Sequence, residues 1–179
     1  MSEEPQLTFE DEPLRRRYLQ TFDLIRRGDF DGSWRALDEL HAQGVKLPDL
    51  YDVMKCLKFW LNRKTRIESC EAGLPLADTL EGEWKLFEQF IMQKALASHP
   101  VIAHFREAVW NRVIENFILA IQQGDVPDPE LLLRLSGALL VGGQYARARD
   151  TLLYAKKFKP RDAVLHAYLG DAWHGLGEN

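Results

Sequence analysis

Two histidine pairings and two cysteines carry the groups most suited to catalysis or metal binding in this 179-residue sequence. Asp171 and His174 stand three residues apart, a spacing that brings side chains to one helix face and lets a carboxylate orient an imidazole as a general base. Asp–His pairs at this spacing are far commoner on solvated surfaces than in active sites. His99 and His104 are five residues apart, which turns them to different faces. Neither has a Cys, Asp or His partner at metal-ligand spacing. His99 precedes Pro100 and reads as capping or bordering a helix. Cys56 and Cys70 fit neither a CxxC motif nor a disulfide framework. They read as reduced, partly buried thiols of a cytosolic, cytoplasmic protein. There is no GxSxG, P-loop, GxGxxG or HExxH motif. The expectation is a chain that is not an enzyme, with no catalytic residues, no metal and no cofactor.

Charge narrows the class further. The formal net charge is −4, which does not call for nucleic acid or an anionic membrane as partner. Arg15, Arg16 and Arg17 form one basic run, and Lys55, Lys58, Arg63, Lys64 and Arg66 another. Both alternate with apolar residues at helical spacing and read as solvated helix faces. RNA binding through 55–66 stays open only as a third reading. Trp34, Trp60, Trp84 and Trp110 sit at apolar helical positions without a glycine-rich strand or basic groove, so packing is favoured over base stacking. The N-terminus MSEEPQLTFEDEP is acidic and lacks the apolar core of a signal peptide. Even LLLRLSGALLVGG is interrupted by Arg134, so no membrane span is expected.

The elements that would position these residues are helices. The chain is 46% hydrophobic, enough for one compact domain or a short solenoid without staples. Residues 1–11 read as a disordered acidic tail. A helix begins near Glu12, with Pro13 in its first turn and Leu14, Tyr18, Phe22 and Ile25 on one face, and Gly28 ends it. A second runs from about Asp31 to Gln43 with Trp34, Leu37 and Leu40 inward, and stops at Gly44. Pro48 opens a third, whose Leu50, Val53, Met54, Leu57, Trp60 and Leu61 are apolar on more than one face. A short helix over 64–72 follows, and AGLPLAD (72–78) reads as a break. The next run, about 78–97, carries Leu80, Trp84, Phe87, Phe90, Ile91 and Leu96, and SHP punctuates it. A long helix then reaches about Gln123. GDVPDP closes it, with Asp128 as N-cap and Pro129 in the first position of the next. No alternating β-branched run with hairpin turns occurs, so the fold class is all-α.

Self-similarity appears toward the C-terminus. Leu135, Ala138, Leu139 and Gly143 recur 34 residues on as Leu169, Ala172, Trp173 and Gly177. After Gly143 come Tyr145, Ala148, Leu152, Ala155 and Pro160. Small residues at Ala138, Ala148 and Ala155 let two antiparallel helices approach closely, Gly143 permits the turn, and Leu135, Leu139, Tyr145 and Leu152 fill the seam. Pro160 stops the second helix. This pattern resembles the tetratricopeptide repeat (TPR), with one full unit over 129–162 and the first helix of another over 163–179. Ser136 departs from the family's glycine, and Leu132 and Leu139 from its large aromatics. Residues 13–43 resemble the unit more weakly: Gly28 and Phe30 stand where Gly143 and Tyr145 stand, Ser33 parallels Ala148, and Leu37 parallels Leu152.

The resemblance implies helical hairpins stacked as a short right-handed solenoid, with a less regular helical block in the middle. The domains it implies are a helical domain over 12–126, containing the 13–43 hairpin, and a repeat region over 127–179. It also implies a scaffold or adaptor that binds another protein or peptide. The family's groove positions carry over to Glu130, Leu133, Gly137, Leu140 and Val141, and to Val164, Ala167, Asp171, His174 and Gly175. No lysine, arginine or asparagine stands among them, so a carboxylate clamp is not expected. The groove suits an apolar helix or peptide face, or the 78–123 helices of the chain itself. GLGEN continues the repeat to the last residue, so the chain reads as a piece of a longer repeat protein, or as a cap covered by a partner or a second copy. In the latter case Leu169, Trp173 and Leu176 form a C-terminal interface. Self-assembly into a homo-oligomer through that end is the alternative function.

Overall fold

The computed structural model describes residues 12–44, 49–124, 126 and 128–177. The acidic segment 1–11, Pro48 and the last two residues of GLGEN lie outside these. Among the described residues the chain forms nine helices and no strand, in line with the all-α expectation. None of them is long and apolar enough to cross a membrane.

By its internal packing the chain divides into two compact units, each drawn from two stretches of sequence. The first comprises the residues up to Thr65 with Phe87–Ala108, and the second Arg66–Leu86 with Val109 onward. The sequence boundary at 126/127 falls inside the second unit.

The first unit opens with α1 (Glu12–Arg26) and α2 (Phe30–Ala42), which pack on each other. The turn between them is made by backbone alone. Gly28 takes φ +78°, its N–H donates to the Ile25 carbonyl at 2.9 Å, and the Asp29 N–H donates to the Leu24 carbonyl at 2.9 Å. This satisfies carbonyls that a helix end leaves orphaned, and glycine takes the left-handed conformation without a Cβ penalty. Asp29 then caps α2, accepting from the Gly32 N–H at 2.8 Å. Two small hydroxyl residues are fully buried in this hairpin, Thr21 and Ser33. The Ser33 hydroxyl donates across the interface to the Thr21 carbonyl at 3.2 Å and the Thr21 hydroxyl donates to the Tyr18 carbonyl, so both buried hydroxyls are satisfied.

Next comes α3 (Leu50–Leu61), buried on more than one face through Leu50, Val53, Cys56, Leu57, Phe59 and Trp60. Phe59 and Trp60 meet Phe87 with ring centroids 5.1 and 5.2 Å away, and Phe87 meets Phe105 at 5.5 Å. These rings form the centre of the first unit's core. Trp34, expected inward, is only half-buried.

After the short α4 (Lys64–Glu68) comes α5 (Leu74–Gln93). It starts inside the stretch AGLPLAD that sequence reads as a break. Pro75 falls in the first turn, where a missing N–H costs nothing. The chain enters the helix through Gly73, at φ +98°. The Gly73 N–H donates to Asn116 Oδ1 at 2.9 Å. The same buried side chain donates through Nδ2 to the Arg112 carbonyl.

The turn after α5 holds the one non-glycine residue with positive φ among the described residues, Ala95 at 55°. Its N–H donates to Met92, and the Leu96 N–H donates to the Ile91 carbonyl at 2.8 Å, the same turn that Gly28 makes. A left-handed alanine costs roughly 1–2 kcal/mol. Glycine removes that strain, offset in part by about 0.4–1 kcal/mol of added freedom in the unfolded chain. Ala95→Gly is therefore expected to raise stability by up to about 1 kcal/mol, read as a shift in denaturation midpoint at unchanged slope.

The chain continues in α6 (Val101–Gln123), where Val101, Phe105, Val109, Val113 and Phe117 are all buried. His99 borders this helix as its place before Pro100 predicts, with Nδ1 accepting from the Val101 N–H at 3.1 Å. The second unit is completed by α7 (Pro129–Val141), α8 (Tyr145–Ala155) and α9 (Ala163–Leu176). There α7 packs on α8, α8 on α9, and α7 on α9.

Candidate partner-binding face

The geometry of α7 follows from its ends and its two sides. Asp128 accepts from the Glu130 N–H at 2.9 Å, with Pro129 in the first turn, as the sequence pattern predicts. On one side Ser136 is buried, and its hydroxyl donates to the Leu132 carbonyl at 2.8 Å. On another side the Arg134 guanidinium bonds both Asp78 and Glu81 of α5 at 2.6 Å, and lies 4.7 Å over the Phe117 ring of α6. Burial works against its charge, but the bonds to Asp78 and Glu81 prevail and raise its pKa. Read in sequence only as a break in an apolar run, Arg134 ties α7 to its neighbours.

The turn to α8 repeats the α1–α2 turn. Gly143 takes φ +70°, its N–H donates to Leu140 at 3.0 Å, and the Gln144 N–H donates to Leu139 at 2.8 Å. Ala148, Leu152 and Ala155 of α8 are fully buried. α9 is capped by Asp162, which accepts from the Leu165 N–H at 3.0 Å. It buries Leu165, Leu169 and Ala172 as one stripe.

Two glycines set how close α9 comes. A Cβ on Gly137 of α7 would stand 3.2 Å from Cε2 of Tyr168, and one on Gly175 would stand 2.4 Å from Cδ1 of Tyr145. Each glycine is thus a seat for an aromatic ring. Tyr168 is a residue that sequence reasoning passed over. The signal was a lone glycine inside α7, which leaves room for a ring, here one from α9.

The groove positions sort by exposure. Leu133 is 8% exposed and offers little to a partner. Gly137 and Leu140 are half-buried, while Ala167, Asp171 and His174 are exposed. Val141 and Val164 are the apolar side chains most open here, at 44% and 49%. Glu130 is exposed and pairs with Lys159. Of the C-terminal residues, Leu169 lies in the buried stripe and Leu176 is half-buried, while Trp173 is 38% exposed.

The remaining reactive residues have structural surroundings. The His104 ring stacks on Phe22 at 5.5 Å. Cys56 is fully rather than partly buried, and burial pushes its thiol up to about 12, with Asp52 adding to the shift. The Cys70 thiol lies 3.2 Å from the Thr79 hydroxyl. Burial, then Asp49 and Asp52, pushes the Tyr18 phenol up to about 12. Lys55 pairs with Asp52, Lys64 with Asp31 and Arg66 with Glu83, so carboxylates answer much of the second basic run. Among the described residues no three His, Cys, Asp or Glu side chains are grouped to hold a metal.

Comparison with protein-family models, curated proteins and solved structures found no match.

Proposed function

We propose that the chain is a non-catalytic adaptor of TPR-like hairpins that binds an apolar helix or peptide face along α7 and α9. The observation that carries this reading is the Gly137–Tyr168 seat. It holds two helices side by side with Val141 and Val164 open to solvent. Two further features support it. The α1–α2 and α7–α8 turns have the same form, with glycine at φ +78° and +70°. The small residues Ser33 and Ala148, which correspond in the two hairpins, are both fully buried. The surface offered is apolar with a polar edge at Asp171 and His174, which suits helix-in-groove recognition. The cytoplasm is the compartment that free, unpaired cysteines fit. A second reading, self-assembly through α9, draws on Trp173 and on Gly170, where an added Cβ would meet nothing within 4 Å.

Photo-crosslinking residues placed singly at 164, 173 and the exposed position 146 separate these readings in cells. The adaptor reading expects a heterologous adduct at 164 that is lost when Val141→Glu is added, with helicity unchanged. An adduct to a second copy at 173, with none at 164, transfers the function to assembly. Equal labelling at 146 and 164 removes the groove.

A further inference from the structure

On the outer side of α8 and the turn that follows, Leu153, Tyr154 and Phe158 are between 41% and 45% exposed. Tyr154 and Phe158 meet edge to face with ring centroids 5.4 Å apart, and the Lys157 ammonium sits 5.4 Å from the Tyr154 ring centre. Tyr154 meets both Phe158 and Lys157, and Leu153 precedes it in α8, so the exposed apolar side chains are contiguous here rather than scattered. The same segment, AKKFKPR, carries Lys156, Lys157, Lys159 and Arg161 within six residues. The acids nearby are engaged: Glu130 pairs with Lys159, Asp150 with Arg149, and Asp162 caps α9. Lys159 is answered by Glu130, and Lys156, Lys157 and Arg161 leave a local cationic, aromatic surface on a chain of net charge −4.

We infer that this outer face of α8 docks an acidic peptide segment carrying apolar side chains, separately from the groove on α7 and α9. Charge complementarity selects an anionic partner and steers its approach, while Leu153, Tyr154 and Phe158 give its apolar residues a place to lie. The geometry favours a peptide over other polyanions. Each ring is more than half covered, unlike the freely projecting side chain of an interfacial membrane anchor. Tyr154 meets Phe158 edge to face and Lys157 lies over its ring, which takes up part of the surface a stacked base would need. The chain's overall negative charge also repels long polyanions.

The test uses the full chain and a short fluorescein-labelled peptide of glutamate and aspartate with interspersed leucine and phenylalanine, followed by anisotropy. Saturable binding is expected, weakening as salt rises from about 50 to about 300 mM. Lys157→Glu with Arg161→Glu is expected to weaken it by about tenfold or more, as is Tyr154→Ser with Phe158→Ser. A peptide of equal charge lacking leucine and phenylalanine is expected to bind at least about tenfold more weakly. Val141→Glu leaves this binding unchanged, which separates it from failure of the groove. If the aromatic pair of substitutions lowers helicity, the exposed charge reversals decide. No saturable binding overturns the proposal, as does binding indifferent to the charge reversals. Retention on phosphatidylserine vesicles or on single-stranded RNA without peptide binding also overturns it, in favour of that polyanion.

Discussion

Replacing Phe87 with alanine is expected to lower the unfolding free energy by about 3–5 kcal/mol. The ring is fully buried and sits among rings from three helices, Phe59 and Trp60 of α3, Phe90 of α5 and Phe105 of α6. Side chains held by different helices cannot all move into one vacated space, so the cavity persists and its cost adds to the lost burial. The melting temperature should fall by roughly 2–4 °C for each kcal/mol lost in a chain of this size. Phe87→Leu keeps most of the volume and is expected to cost less, since hydrophobic swaps of similar size are tolerated best. Urea denaturation followed by circular dichroism and tryptophan fluorescence measures both. A loss below about 1 kcal/mol for the alanine variant would place it with ordinary substitutions and remove Phe87 from the centre of the core.

Ala148→Trp is expected to destabilise by about 1–3 kcal/mol through overpacking. Ala148 has no exposed surface, and Ser136 on the facing helix has none either. α8 packs on both α7 and α9, so a larger side chain there can be fitted only by pushing α8 away from its neighbours. Ala146, two residues earlier, is exposed, and Ala146→Trp is expected to stay within about 0.5 kcal/mol of the parent. The pair therefore separates a change of volume at the helix crossing from a change of helix propensity. Equal stability for the two variants would contradict close α7–α8 packing as the organising contact of the second unit.

Periodicity made most helices legible, because apolar spacing and the signals of Gly28, Gly143, Asp128 and Pro129 act within a few residues of themselves. α5 was misread at its start because Pro75 signals equally the end of one element and the first turn of the next. Only the Gly73–Asn116 bond, made across 43 residues of sequence, decides between them. Ser33 was visible as a small residue at a crossing, but its partner Thr21 was not, since threonine carries no helix-packing signal by itself. In the candidate groove, residue types were readable and accessibility was not. Leu133 and Val141 look alike in sequence, yet neighbouring side chains cover the first and leave the second open. Arg134 was hidden for the same reason, its acids lying on α5, more than fifty residues earlier.

The division of the chain has a consequence for biosynthesis. The first unit is incomplete until Ala108 has been made, and the segment Arg66–Leu86 precedes part of it while belonging to the second. On the ribosome this segment must therefore emerge and wait for Val109 onward before it has its own unit to join. No single cut yields either unit whole and alone. A truncation beginning at residue 127 would leave behind Arg66–Leu86, and with it the Asp78 and Glu81 that hold Arg134.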